Sequence, residues 1–420
     1  MTDFDAVDYF TDPALPADPY TYLRHLRDQC PVQREAHHDV VMVTGFDEAI
    51  AVYSDPATFS SCNSVSGPFP GFPVPLEGDD VSELIDAHRD ELPFSDQLPT
   101  FDPPKHTRQR ALMMRLITPK RLKENEEFMW TLADRQIDEF IANGRCEFIG
   151  EYAAPYTLLV IADLLGVPEG DRQTFRSKLS SPTELTKGGE LEHRPLEFLY
   201  EQFTAYIEDR RRDPRDEVMT GLATATYPDG STPDVHDVAL IAANLFVAGQ
   251  ETTVRLLSAA LQVIGERPDL QRLLRTRREL IPNFIEEMLR LESPIQGEFR
   301  LSRTTTTLGG VDLPAGTTLM VVNGGANRDP ERFENPDELQ VERPNARQHL
   351  AFGHGIHTCA GAPLARSEAR VSIERLLDRT TDIRISEAEH GPPDDRRYDY
   401  MPIFLLHGLT HLYLEFDPIM

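Results

Sequence analysis

The chain has 420 residues, 40% of them apolar and 27% charged. That is the profile of a soluble globular protein, and it excludes a collagen-like, largely disordered or integral membrane chain. Against 42 Lys and Arg stand 70 Asp and Glu, a net charge of −28, which argues against nonspecific binding to nucleic acid or to an anionic membrane surface.

The first dozen residues, MTDFDAVDYFTD, are acidic and lack the basic and apolar regions of a signal or transit peptide. No stretch approaches the roughly 20 apolar residues that span a bilayer, so a cytoplasmic location is expected. Asp18–Gln29 reads as a helix with Tyr20, Leu23 and Leu26 on one face. Val40–Val43 reads as a strand and Phe46–Tyr53 as another helix. The segment GPFPGFPVPL at 67–76 carries two Phe among its prolines. A long apolar loop of that kind more often covers a buried ligand than links domains.

From Lys105 to about Arg212 helical patterns follow one another, with breaks expected near Pro119, Gly144–Arg145, Gly166–Pro168 and Ser181–Glu192. A long helical run covers Asp234–Gly265, interrupted by polar residues after Ala248, and Leu280–Leu291 is a further helix ended by Pro294. Phe299–Val322 reads as short strands, 323–361 has almost no periodicity, and Ala362–Leu377 is helical. The tail, Ile383–Phe416, reads as strands and loops. With no internal repeat and no clear linker, the expectation is one domain over residues 1–420, mainly α with small β-sheets (α+β).

Four cysteines, Cys30, Cys62, Cys146 and Cys359, form no CxxC pair, which speaks against a zinc ribbon or dithiol redox motif. Three of them read as small core residues. Cys359 differs. It lies in AFGHGIHTCAGAPL (351–364), a glycine-rich loop immediately before a helix. The helix N-terminus stabilises a thiolate there, and Gly353, Gly355 and Gly361 permit unusual backbone angles and close approach of a flat ligand. A buried cysteine near a helix cap is the plain alternative. Three glycines, Phe352 and His357 around one Cys weigh against it.

Three further patterns accompany this loop. Glu287 and Arg290 form ExxR on one helix face; alone, that is an ordinary surface pair worth under ~1 kcal/mol. In mid-helix, Ala248-Gly249-Gln250-Glu251-Thr252-Thr253 puts a Gly and polar residues where the Gly alone costs about 1 kcal/mol and the hydroxyls can bond back to a carbonyl. His106 and Arg110 sit four apart on one helical face.

The loop matches FGxGxHxCxG, the haem-thiolate signature of the cytochrome P450 family, at Phe352, Gly353, Gly355, His357, Cys359 and Gly361. The chain resembles that family from about Asp18 to Phe416, with motif order and spacing agreeing from His106 to Gly361. The resemblance implies a P450-type fold and haem b (iron protoporphyrin IX), with Cys359 as the axial iron ligand and Phe352, Gly353, Gly361, Ala248 and Gly249 beside the cofactor. Its thiolate would push electron density to the iron and favour O–O cleavage. It implies that His106, Arg110, Arg300 and His357 meet the haem propionates, and that Glu251 and Thr252 form an acid–alcohol pair relaying protons to bound dioxygen. It also implies a structural triad of Glu287, Arg290 and, from a later loop, Arg332. Glu298, two residues before Arg300, departs from the apolar or small residue expected there.

The implied activity is that of a monooxygenase hydroxylating a small to medium hydrophobic molecule with O2. Candidate pocket residues are Phe69, Phe72, Val74, Leu245, Ala248, Ile295, Gln296, Ile403 and Phe404, each of which also suits ordinary core packing. Peroxygenation, coupling, dehydration, non-catalytic haem binding and a cysteine–histidine hydrolase are the competing readings. The Glu251–Thr252 pair argues against a peroxide-only enzyme and against a mere haem carrier. A hydrolase gives the glycines and the propionate set no role.

No dinucleotide fingerprint, flavin module or iron–sulfur spacing is present, so electrons are expected from a separate ferredoxin or flavodoxin-type donor with its reductase. Pro103–Lys123 holds seven Lys/Arg and no Asp/Glu. It is the expected docking patch, around Arg108, Arg115, Lys120 and Arg121 and extended by Arg366 and Arg370. Chance clustering on a helix is the alternative.

Overall fold

Alternate residues of Val40–Val43 face opposite ways, as a strand requires, and both faces are covered. Val41 and Val43 join Leu319, Val321, Phe46 and Phe333 in one core cluster. Val40 and Met42 join Met320, Val322, Phe299, Tyr22 and Leu23 in another. The computed structural model describes residues 4–179, 194–215 and 217–419, in two compact units.

The first unit comprises Met1–Pro104, Leu280–Cys359 and Asp399–Thr410. Its five-stranded sheet runs in the order Val32–Arg34, Val41–Val43, Thr318–Val321, Glu298–Ser302, Phe59–Ser60. Only the Val41–Val43 and Thr318–Val321 pair is parallel. Thr306–Leu308 and Val311–Leu313 form a separate hairpin. Its two-residue turn is Gly309–Gly310, with φ of 55° and 79°, the left-handed pair that a tight hairpin needs. The expected first helix is Tyr20–Gln29. It starts two residues late because the Asp18 carboxylate accepts the Tyr20 N–H and the Thr21 hydroxyl, capping it from outside. The helices Phe46–Ser54 and Ile281–Glu292 match their patterns to within a residue.

The second unit, Lys105–Glu279, Ala360–Tyr398 and His411–Met420, is built on the 32-residue helix Val235–Glu266. Around it pack Ala154–Leu164, Arg194–Arg212 and Ala362–Arg379. As the run Asp234–Gly265 implies, the helix continues unbroken through the polar residues Ala248–Thr253. Pro119 opens the helix Pro119–Asp138 behind a Thr118 cap. Gly144 and Gly166, with φ of 66° and 74°, mark two of the expected breaks. The break expected at Ser181–Glu192 lies outside the described residues. Arg145–Glu147, Tyr413–Pro418 and Thr380–Ile385 form a three-stranded sheet. Among the described residues no helix is long and apolar enough to cross a membrane.

Candidate active site

In the first unit the cysteine loop is shaped by backbone demands. Gly353 and Gly355 have φ of 63° and 70°, and a Cβ on Gly355 would lie 2.2 Å from the Tyr53 carbonyl oxygen. Any other residue at 355 meets both strain and a clash. Gly361 differs, with an ordinary helical φ of −76°, so left-handed freedom is not the reason for a glycine there. The Cys359 N–H donates to the Phe352 carbonyl at 2.8 Å. The Cys359 side chain is exposed, as is Ile356 three residues before it. Cys62 and Cys146 are buried and Cys30 half-buried, as small core residues would be.

The two cationic candidates of this unit are both held. His357 is half-buried, its Nε2 3.1 Å from the Ser61 hydroxyl. Arg300 is buried on its strand, donating to the Phe299 carbonyl at 2.6 Å and to Glu298 at 3.1 Å, with its guanidinium over the Tyr53 ring. Glu298, the departure noted in the sequence, is therefore the ion-pair partner of Arg300.

The Glu–Arg pair of the ExxR helix is fully buried: Arg290 meets both Glu287 oxygens, at 2.6 and 3.1 Å. The third member corrects the sequence expectation. Arg343, not Arg332, reaches Glu287, its Nε 3.0 Å from Oε1. Arg332 is exposed and lies over the Phe46 ring, 4.9 Å from its centre. Arg290 also donates to the carbonyls of Asn327, Pro336 and Glu338. Arg343 donates to those of Glu334, Asn335 and Glu338. Two arginines thus replace the ladder that the irregular segment 327–343 lacks.

The candidate pocket residues scatter. Gln296 is buried with its amide donating to the Glu292 and Ser293 carbonyls, and Phe404 packs against Tyr9, Phe10 and Phe299. Gln296 is thus committed to backbone carbonyls, and Phe404, half-buried, to this aromatic cluster. Ile295 and Ile403 are half-buried beside them, as is Val74 in its loop. Phe69 is 45% exposed, edge-on to Phe10 and His38. Phe72 lines a cavity of about 400 Å3 with Leu92, Leu301 and Pro314.

In the second unit, His106 is buried and Arg110 half-buried on the helix Lys105–Met113. Along the long helix Leu245 and Phe246 are buried, but Val247 and Ala248 are exposed. Between Asp237 and Gly265 these are the two exposed residues. Glu251 pairs with Arg255 at 2.5 Å, and the Thr252 hydroxyl donates to the Ala248 carbonyl at 2.9 Å. A Cβ on Gly249 would lie 3.4 Å from Ile161, so this glycine also serves packing against Ala154–Leu164.

The basic island divides. Arg121 is tied to Asp163 and to the Leu164 carbonyl. Arg108 lies over the Tyr227 ring and donates to Ser231. Arg370, its expected extension, pairs with Glu126 at 2.5 Å. Arg115, Lys120 and Lys123 are exposed.

Sequence reasoning missed Glu368. Its carboxyl is buried on the inner face of Ala362–Arg379, and that burial, eased by the Thr253 hydroxyl, pushes its pKa well above the usual carboxylate range. Its helical spacing to Leu364 and Ser372 was the available signal.

The donor set fits haem. Among the described residues no cluster of three or more His, Cys, Asp or Glu could hold a bare metal ion. One exposed thiol suits a metal whose remaining positions are filled by its own ring. A mainly helical chain with small sheets, a glycine-shaped loop presenting one cysteine, and a buried Glu–Arg set bracing the irregular segment before it define a haem-thiolate protein.

The comparisons agree. The cytochrome P450 family model matches residues 190–381. Cytochrome P450 144 of Mycobacterium tuberculosis is 33% identical over 382 residues, covering 88% of this chain and 84% of its own. The 6-deoxyerythronolide B hydroxylase of Saccharopolyspora erythraea is 30% identical, covering 95% and 96%. The substrate-free structure of Mycobacterium marinum cytochrome P450 CYP150A6 superposes with a TM-score of 0.95 at 56% identity over the whole of both chains. The chain belongs to the cytochrome P450 family, and it is an oxidoreductase, a monooxygenase that uses O2, an organic substrate and redox partners.

Proposed function

We propose that residues 1–420 act as one monooxygenase domain that holds iron protoporphyrin IX through Cys359 and hydroxylates a small to medium hydrophobic molecule. The observation that carries this is the exposed Cys359 thiol on a loop whose shape depends on Gly355. The haem, when bound, supplies the iron at which dioxygen is activated. Everything else falls to side chains. His106, Arg110, Arg300 and His357 neutralise the propionates, Phe352 and Gly353 pack beside the ring, and Ala248 leaves room over it. Glu251 takes protons from solvent and Thr252 passes them on. Phe69, Phe72, Val74, Leu245, Ile295 and Ile403 are the remaining apolar candidates for substrate contact. A relative named as a hydroxylase favours that outcome over coupling or dehydration.

Thr252→Ala should keep consuming reducing equivalents but release them mainly as hydrogen peroxide, with product per electron falling several-fold. Peroxide assay against product yield checks this, and full coupling in the variant removes the relay. Terpenoid, steroid and alkyl-aromatic probes, screened by the spin-state shift of the iron, identify the substrate class.

Electrons come from an acidic ferredoxin or flavodoxin-type protein with its reductase, docking at the exposed cations Arg115, Lys120 and Lys123. Arg115→Glu or Lys120→Glu should slow reduction several-fold at low salt and flatten its salt dependence. Stopped-flow reduction across an ionic-strength series reads it, and unchanged kinetics removes this surface. Arg121→Glu is no equivalent probe, because it first breaks the pair with Asp163.

A further inference from the structure

A run of small polar residues, Ser60, Ser61, Cys62 and Asn63, is buried in the first unit. Polar groups are costly there unless each finds a partner. Asp102, itself 6% exposed, supplies partners to Ser60 and Ser61. It accepts the Ser60 hydroxyl at 2.5 Å and the Ser61 N–H at 2.8 Å. Arg89 and Arg303 reach the same carboxylate at 2.8 and 2.7 Å. Four donors fill a carboxylate's acceptor capacity.

Both arginines are anchored elsewhere too, Arg89 on the Thr100 carbonyl and Arg303 on Asp86. The far end of this assembly is the Ser61 hydroxyl, 3.1 Å from His357 Nε2. Fixing one ring nitrogen of a histidine fixes the direction of the other. A buried charge cluster is seldom the cheapest way to fill a core, and this one ends on a side chain of the cysteine loop.

We propose that Asp102 is a positioning residue for the haem: by holding the Ser61 backbone between Arg89 and Arg303 it aims the Ser61 hydroxyl, which orients His357 toward a propionate. This rests on the haem reading above. Burial pushes the Asp102 carboxyl up, but Arg89, the two serines and Arg303 outweigh it and hold it below the usual range, so it stays ionised.

The test uses holoenzyme and follows haem loss to excess apomyoglobin, with the midpoint potential measured alongside. Ser61→Ala should release haem about fivefold faster, the worth of one hydrogen bond, with the CO-bound spectrum unchanged. Ser61→Thr should restore the original rate. Asp102→Asn should also speed release, and it should raise the potential, because a negative charge is lost while Arg89 and Arg303 remain. Release and potential unaltered in Ser61→Ala and Asp102→Asn overturn the proposal. If Asp102→Asn does not fold, the Ser61 pair decides: equal release from Ala and Thr variants overturns it. A wild-type chain that takes up no haem is a separate result, which overturns the haem reading itself.

Discussion

Cys359→Ser should abolish the strongly red-shifted Soret band of the reduced, CO-bound protein and with it all monooxygenase turnover. The shift depends on an anionic sulfur donating electron density to the iron. A serine hydroxyl in the same place stays protonated at neutral pH and donates far less. The fold should hardly notice. The Cys359 side chain is exposed, and the contact that fixes the loop is its backbone N–H to the Phe352 carbonyl, which serine keeps. The stability change should therefore stay within about 0.5 kcal/mol. A CO difference spectrum and a thermal melt on the same sample separate the two effects. A red-shifted band that survives in haem-loaded Cys359→Ser protein excludes Cys359 as the ligand.

Glu287→Ala should have the largest effect on stability, about 3–5 kcal/mol, the usual cost of stranding buried charge. It leaves Arg290 and Arg343 buried beside one another with their shared carboxylate gone. Arg343→Ala should also cost several kcal/mol, since that side chain holds three backbone carbonyls. Arg332→Ala should stay within about 0.5 kcal/mol. Urea titration of the three variants checks the order, and an Arg332 effect matching that of Arg343 reverses the correction made above.

The pair also sets a pH dependence. Burial alone raises the Glu287 carboxyl, but the bonds from Arg290 and the Gln340 N–H and the nearby guanidinium charges outweigh it and hold its pKa below the ordinary value. A carboxyl lowered on folding contributes stability that is complete above its unfolded pKa and is lost as pH falls through its folded one. Stability of the wild type should therefore fall on the acid side, and Glu287→Ala should flatten that slope.

Much of this was legible in the sequence because it is local. The glycines, the cysteine and the ExxR spacing each state a backbone or helix-face demand within a dozen residues, and helix ends followed from Pro119, Gly144 and Gly166. The third arginine was not legible. The aperiodic segment 323–361 offers Arg328, Arg332, Arg343 and Arg347, and only folding decides which one turns inward. The same limit applied to the basic island, where counting charges could not reveal that Asp163 had claimed Arg121. Pocket membership was not legible at Gln296 and Phe404, because apolar or amide side chains near a cofactor motif look the same whether they line a cavity or fill a core. Ser61 and Asp102 stand 41 residues apart, with nothing in either neighbourhood to link them.

The bond from Thr252 to the Ala248 carbonyl has a consequence for timing. A hydroxyl owns one proton, and here that proton is committed to its own helix. In this conformation Thr252 offers only lone pairs, so it can receive a donor but cannot act as one. To donate, it must rotate away from a bond worth about 1 kcal/mol, and the donating rotamer is then a minority of about one in six at rest. In the proposed relay Thr252 is therefore a one-way valve by default, which each turnover would have to open.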